Sequence, residues 1–309
     1  MGLHERKPEW LKVRMPGGER HAELTQNFRR LGLHTVCEEA RCPNIGECWR
    51  EGTATIMILG DVCTRGCRFC AVSSGHPGAV DASEPQHVAG ALAQMDLAYV
   101  VLTMVDRDDL PDGGAAHVAR TVSNIHERSP ELLVETLVGD FAGNTDAIAT
   151  VVQQGKPDVF AHNVEVVPSL QRKMRDARCS WDRSISTLQF ARTAGAAVIK
   201  TSLMVGCGET SDEVVQALQT LRAADIDVVT IGQYLRPTPK HAPVLRYVEP
   251  AEFDHYKQVG NDLGFQYVAS GALVRSSYRA AEAFLKGKLR GEKVAYSDRY
   301  GKRRLEVIS

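Results

Sequence analysis

The sequence predicts an α/β protein, a partial (β/α)6 barrel, and three observations predict it. Six short apolar runs, at residues 55–59, 99–103, 132–138, 159–164, 198–205 and 228–234, are rich in Val, Ile, Leu and Thr and lack clean alternation. Strands buried on both faces of a parallel sheet read this way. Amphipathic stretches separate the runs, which implies right-handed βαβ crossovers. Gly or Pro sits at many of the boundaries. Six units are too few for an eight-fold barrel, so the sheet is expected to be open or partial. Its active site should lie at the C-terminal ends of the strands.

The remaining elements follow in order. The first fifty residues read as irregular or helical, with a helix expected over 21–31. Thr210-x-x-Glu213 fits a capping box, and Val214, Leu218 and Leu221 then recur at helical spacing. Pro237, Pro239, Pro243 and Pro250 mark a loop-rich connection after the sixth strand. A helix is expected over 251–263, a short strand over 265–269 and a last helix from Tyr278. Residues 291–309 carry many charges and read as a solvated tail. Three segments result: an N-terminal extension at 1–52, the barrel core at 53–248 and a C-terminal extension at 249–309.

Bulk properties narrow the function. The 309 residues are 43% hydrophobic and 24% charged, ordinary globular values, with a net charge of −1. A nucleic-acid partner is not expected, because the chain lacks a broadly basic character. No stretch approaches the roughly 18 apolar residues of a membrane span. The opening residues 1–20 hold Glu5, Glu9 and Glu19 and no apolar core, so neither a signal nor a transit peptide is read there, and a cytoplasmic location is expected.

Eight cysteines are present, and six fall between Cys37 and Cys70. With no signal peptide read, metal binding is preferred over disulfides. Cys63-x-x-x-Cys67-x-x-Cys70 follows the first strand. Three thiolates on one tight loop suit a [4Fe–4S] cube and leave one iron open for a small molecule. Zinc is the competing reading, with His76 as a fourth ligand. Cys37-x4-Cys42-x5-Cys48 lies upstream, with Pro43, Asn44 and Gly46 between the thiols. It suits a second cluster, again with zinc as the alternative.

CTRGCRFC, at residues 63–70, resembles the radical S-adenosylmethionine (SAM) signature. The pairing of C-x4-C-x5-C with C-x3-C-x2-C resembles the lipoyl synthase family, and the resemblance runs from about residue 6 to residue 290. It implies SAM bound at the open iron of the Cys63, Cys67 and Cys70 cluster and cleaved to a 5′-deoxyadenosyl radical. It implies a second, auxiliary [4Fe–4S] cluster on Cys37, Cys42 and Cys48, with the N- and C-terminal extensions around it. Arg275-Ser276-Ser277-Tyr278 matches the family's R-S-S-Y motif, which implies Ser277, rather than Ser276, as the fourth auxiliary ligand. Two serines before a helix also read as a cap. The implied reaction inserts two sulfurs, at carbons 6 and 8, into an octanoyl group on a carrier lysine, the auxiliary cluster being consumed as sulfur donor. The implied partners are an octanoylated lipoyl carrier domain (an E2 subunit or glycine-cleavage H protein), an electron donor and an iron–sulfur carrier that rebuilds the spent cluster.

Smaller signals accompany these. Phe69 resembles the family's aromatic near the adenine; taken alone it reads first as an ordinary buried core Phe. Asn163 and Glu165, in AHNVE at the end of the fourth strand, resemble family positions that contact SAM; loop chemistry is the alternative. RDDLPDGG at 107–114 reads as a SAM-approaching loop or a plain turn into a helix. MVGCGET at 204–210 resembles the family's fifth-strand loop and lacks the third glycine of a dinucleotide site. Lys200 and Arg236 lie near strand ends, where solvated or structural ion pairs are the default reading and an anion or the acylated partner is a candidate ligand. QYLRPTPKHAPV at 233–244 matches the family without a firm role. Cys179 and Cys207 fit neither motif and read as small residues. Two other functions compete: another auxiliary-cluster radical SAM enzyme, such as a methylthiotransferase or biotin synthase relative, and a zinc-stabilised binding module.

Overall fold

The computed structural model describes residues 7–12, 26, 30, 34–35, 53–95, 97–276, 293–295 and 306–308. Seven parallel strands form one sheet: β1 Thr53–Ile58, β2 Tyr99–Met104, β3 Leu133–Leu137, β4 Val159–Ala161, β5 Ile199–Val205, β6 Val228–Gln233 and β7 Tyr267–Gly271. A two-residue strand, His34–Thr35, adds antiparallel to β1 through His34↔Met57 and Thr35↔Ile56. Helices α1 Glu84–Leu92, α2 Ala115–Arg128, α3 Thr145–Ala149, α4 Trp181–Thr193, α5 Ser211–Ala223 and α6 Pro250–Asp262 fill the crossovers. The six expected strands all form. The segment from residue 249 onward adds a seventh, registered on β6 as Tyr267↔Val228.

Strand parity explains the absence of alternation. On β2, Val100 and Leu102 pack into the large cluster that includes α1 and α2 residues such as Leu92 and Val118. Tyr99 and Val101 face the other way, into a smaller cluster with Val159, Val198, Val228 and Tyr267. Both faces are buried, so both need apolar side chains. The smaller cluster is the inner face of the curved sheet. It admits two charges, Glu135 and Lys200, because each sits two residues from an inner-face neighbour, Leu133 and Val198.

Local chemistry sets the boundaries. Thr210 accepts a hydrogen bond from the Glu213 amide at 3.2 Å while the Glu213 carboxylate accepts from the Thr210 amide at 2.8 Å, the expected capping box. α2 begins at Gly114, whose φ of +89° favours glycine, and a Cβ there would meet Leu59 at 2.5 Å. In RDDLPDGG the glycines therefore make the turn, and Arg107 ties it down by donating to the Leu59 and Gly78 carbonyls at 3.1 and 2.9 Å.

Within the tail, Lys293–Ala295 pairs antiparallel with Glu306–Ile308. Val294, Val307 and Ile308 supply β-branched residues that a count of charges overlooks. The helix expected from Tyr278 lies outside the described residues. So does most of the helix expected over 21–31, of which Gln26 and Arg30 are helical.

Candidate functional site: a three-cysteine loop at the C-terminal ends of the strands

Cys63, Cys67 and Cys70 lie on the connection after β1, at the C-terminal edge of the sheet. Cys63 ends a two-residue strand, Val62–Cys63, which pairs with Ser73–Ser74 and closes the loop on itself. All three thiols are free and partly exposed. The Arg65 amide donates to Cys63 Sγ at 3.4 Å and the Asp176 amide to Cys67 Sγ at 3.3 Å. Burial raises the Cys63 thiol, and it pushes Cys70 up to about 11. Thiols raised in this way stay protonated until a metal displaces the proton.

The donor set fits an iron–sulfur cube. A tetrahedral zinc needs four ligands about 2.0–2.3 Å from one point. Among the described residues, no three His, Cys, Asp or Glu side chains converge that way. Cysteines of a cube reach separate irons, so three thiols spread along one loop suit it better. His76 is exposed and no described contact draws it to the cysteines.

One arginine stitches the cysteine loop to its neighbours. Arg65, 3% exposed, forks onto Asp108 at 2.9 and 2.7 Å and onto Asp140 at 2.7 Å, with Asp106 at 3.6 Å. Asp106 and Asp108 follow β2 and Asp140 follows β3, so one guanidinium ties three successive loops together. A planar fork does this where a point charge would not. Asp176, after β4, accepts from the Gly66 amide at 2.8 Å and is gripped by Arg178, which holds its carboxyl well below the ordinary range.

Asn163 and Glu165 lie just past β4, and the Asn163 side chain hydrogen-bonds the Glu165 carboxyl. Glu165 has a left-handed φ of +68°, a strained setting for a side-chain-bearing residue. It is held there because its amide donates to Ser202 O and its carbonyl accepts from the Met204 amide at 2.7 Å. Burial raises the Glu165 carboxyl, against the charge of Arg175 and a hydrogen bond from Asn163. Glu165 is close enough to Cys67 and Cys70 to raise both thiols. Phe69 is partly buried against the main core.

The sequence reading missed two residues here. Cys179 lies against Cys67 and accepts from Arg65 Nη1 at 3.5 Å; it is lowered to about 7 by the shared hydrogen bond with Cys67, then by Arg175 and Arg65. Arg175 is buried, and its Nε has no partner among protein atoms. No local spacing announces either one. Lys200 takes the structural ion pair that the sequence reading favours. It sits second in β5, at the N-terminal end, and donates to both Glu135 oxygens at 2.9 and 2.7 Å, away from the cysteines. Cys207 is buried, as a small core residue would be. Cys37, Cys42, Cys48 and Ser277 lie outside the described residues; Ser276 is within them.

Arg175 is held by a relay. Arg175 Nη1 donates to Ser184 Oγ at 2.8 Å, Ser184 faces His162 Nε2 at 2.9 Å, and His162 Nδ1 faces Val138 O at 2.8 Å. A carbonyl only accepts, so Nδ1 carries the proton and Ser184 donates to Nε2. Burial and the Arg175 charge push His162 down to about 4. The folded state therefore binds fewer protons than the unfolded chain between about pH 6.5 and 4, so stability is full above 6.5 and falls as pH drops through that window. His162→Gln removes this loss. Urea midpoints at pH 7 and pH 5 should differ less in the variant, and an unchanged difference would refute the assignment.

Residues 57–231 match the radical SAM superfamily and residues 1–42 match the N-terminal domain of lipoyl synthase. A lipoyl synthase of Sorangium cellulosum is 60% identical, covering 91% of this chain and 79% of that protein. The mitochondrial lipoyl synthase of Homo sapiens is 53% identical over 92% of this chain and 78% of its own length. Among solved structures, methylornithine synthase shares the fold with a TM-score of 0.53 at 16% identity, covering 84% of each chain. The hydrogenase maturase HydG of Carboxydothermus hydrogenoformans does so at 0.55 and 11%, covering 87% of this chain and 68% of that one. Three cysteines on the loop after the first strand, on an open parallel α/β sheet and with relatives this similar across nearly the whole chain, make this protein a member of the lipoyl synthase family of radical SAM enzymes.

Proposed function

We propose that this chain inserts sulfur at carbons 6 and 8 of an octanoyl group linked to a carrier lysine, producing the lipoyl group. The 60% identity to a lipoyl synthase across 91% of the chain carries this reading. Cys63, Cys67 and Cys70 would hold a [4Fe–4S] cluster with an open iron, and Cys37, Cys42 and Cys48 with Ser277 an auxiliary one. With SAM bound, the first cluster would supply the electron that makes an adenosyl radical, which unactivated C–H bonds require. Phe69, Asn163 and Glu165 are assigned to SAM, and the Arg65 network keeps the cysteine loop in register with the Glu165 loop. The barrel core at 53–248 would carry the radical chemistry, with the extensions at 1–52 and 249–309 around the auxiliary cluster. The partners are an octanoylated lipoyl carrier domain (an E2 subunit or glycine-cleavage H protein), an electron donor and an iron–sulfur carrier. Among the described residues no helix is long and apolar enough to cross a membrane.

Anaerobically purified protein should be brown, with about eight iron and eight sulfide per chain. Reduced protein with SAM and an octanoyl-lysyl peptide should yield 5′-deoxyadenosine and a peptide heavier by two sulfurs. A colourless, zinc-loaded protein or a methylthio product would replace the reading. Ser277→Ala should keep SAM cleavage and lose sulfur insertion; normal lipoyl product would remove Ser277 as a ligand.

A further inference from the structure

We propose that the rim beside the cysteine loop is a basic docking surface for an acidic carrier domain, formed by Arg68, Arg172, Lys173, Arg236 and Lys240. This rests on the carrier-bound substrate proposed above. Three segments far apart in sequence are laced together there. The Ala242 amide donates to Arg68 O at 2.8 Å, and the Arg68 amide donates to Met174 O at 2.8 Å. Arg68 Nη1 donates to Lys173 O at 3.2 Å. His241 Nε2 lies 2.9 Å from the Cys70 carbonyl, and Arg236 Nε donates to His241 O at 2.8 Å. The turn at 236–242, which has no role by sequence alone, is thereby pinned to the loop bearing Cys67 and Cys70.

All five cations are exposed, and among the described residues none lies in an ion pair with a carboxylate. The other arginines of this edge are spoken for: Arg65 by Asp108 and Asp140, Arg178 by Asp176 and Asp108. The acid that senses Lys173 is Glu213, already engaged in the α5 capping box. Exposed acids of the same connection, Asp61 and Asp81, fall at its two ends, away from residues 65–70. The chain as a whole is near neutral, at −1, so five exposed cations outside any ion pair among the described residues, around the cysteine loop, are a local concentration. Such a rim steers and orients a partner of opposite charge more than it adds affinity. A free octanoyl group offers it nothing to hold. A folded carrier with carboxylates flanking its acylated lysine does, and it would bring that lysine to the cysteine edge.

The test compares wild type with Arg172→Glu/Lys173→Glu/Lys240→Glu, as cluster-loaded enzymes, on two substrates. One is an octanoylated lipoyl carrier domain, the other a short uncharged octanoyl-lysyl peptide. The KM for the domain should rise roughly tenfold. Turnover of the peptide should not change, which also shows that the variant folds and carries its clusters. Raising salt should weaken wild type on the domain and leave the variant nearly flat. Calorimetric binding of the domain is read separately. Wild type that binds the domain more tightly than the variant, yet transfers no sulfur, keeps the surface and removes the functional reading. Equal affinity of the two proteins for the domain, no binding by wild type, or parallel loss on both substrates overturns the surface.

Discussion

Arg65→Met should lower unfolding stability by about 3–5 kcal/mol, the cost of leaving a buried charge without its partner, and should cut bound iron by about half. Its side chain is 1% exposed and that of Asp140 is 0%. Burial works to raise the Asp140 carboxyl, but the Arg65 hydrogen bond and charge outweigh it and hold the group below its ordinary value. Methionine fills the space and supplies neither. Asp140 must then stay ionised without a counter-charge or take up a proton. Asp106, pushed up to about 6 by burial and by its like-charged neighbours, loses one of the charges that offset that push. The loops after β2 and β3 would separate from the cysteine loop, and the thiols with them. Arg65→Lys should recover only part of the loss, since an ammonium cannot fork onto Asp108 and Asp140 together. Adding Asp140→Asn to Arg65→Met should return part of the stability and none of the iron. Urea midpoints and iron assays on anaerobic protein check each step. A midpoint and iron content equal to wild type in Arg65→Met would show that the network does not hold the loop.

The strands were legible because a both-face-buried strand must be apolar at every position, a constraint confined to five or six consecutive residues. The CTRGCRFC loop was legible for the same reason: its three thiols are spaced within one turn of chain. What stayed hidden depends on contacts across the sequence. Cys179 reads as an isolated small residue, yet it meets Cys67 and Arg65 from the far end of the loop after β4. Arg175 reads as one basic residue among several in QRKMRDAR, and only the fold separates it from exposed Arg172 and Lys173. The seventh strand was visible as an element, but its partner β6 was not, because pairing is a long-range property. Lys200 was legible as a structural ion pair, but its partner was not. Parity and the opposite strand decide that: two residues from inner-facing Val198, it points at Glu135.

That buried pair supports the second large effect. Lys200→Met alone should cost about 3–5 kcal/mol, because the Glu135 carboxylate, 0% exposed, keeps among the described residues only the Tyr99 hydroxyl at 2.7 Å. Glu135→Leu alone should cost a similar amount by stranding the ammonium. The two together, with Tyr99→Phe to remove the hydroxyl that donates to Glu135, should come within about 1–2 kcal/mol of wild type or exceed it, since a packed apolar trio matches or betters a desolvated ion pair. Urea unfolding of the single and combined variants measures the coupling directly. Activity separates structure from chemistry. The pair joins the middle of β3 to the second residue of β5, short of the C-terminal edge that carries the cysteines, and the chemistry of such sheets lies at the C-terminal ends. The combined variant should therefore keep SAM cleavage and sulfur insertion near wild-type rates. If it folded as well as wild type but lost sulfur insertion with SAM cleavage intact, the inner face would hold part of the acyl site, and Glu135 and Lys200 would belong to substrate binding after all.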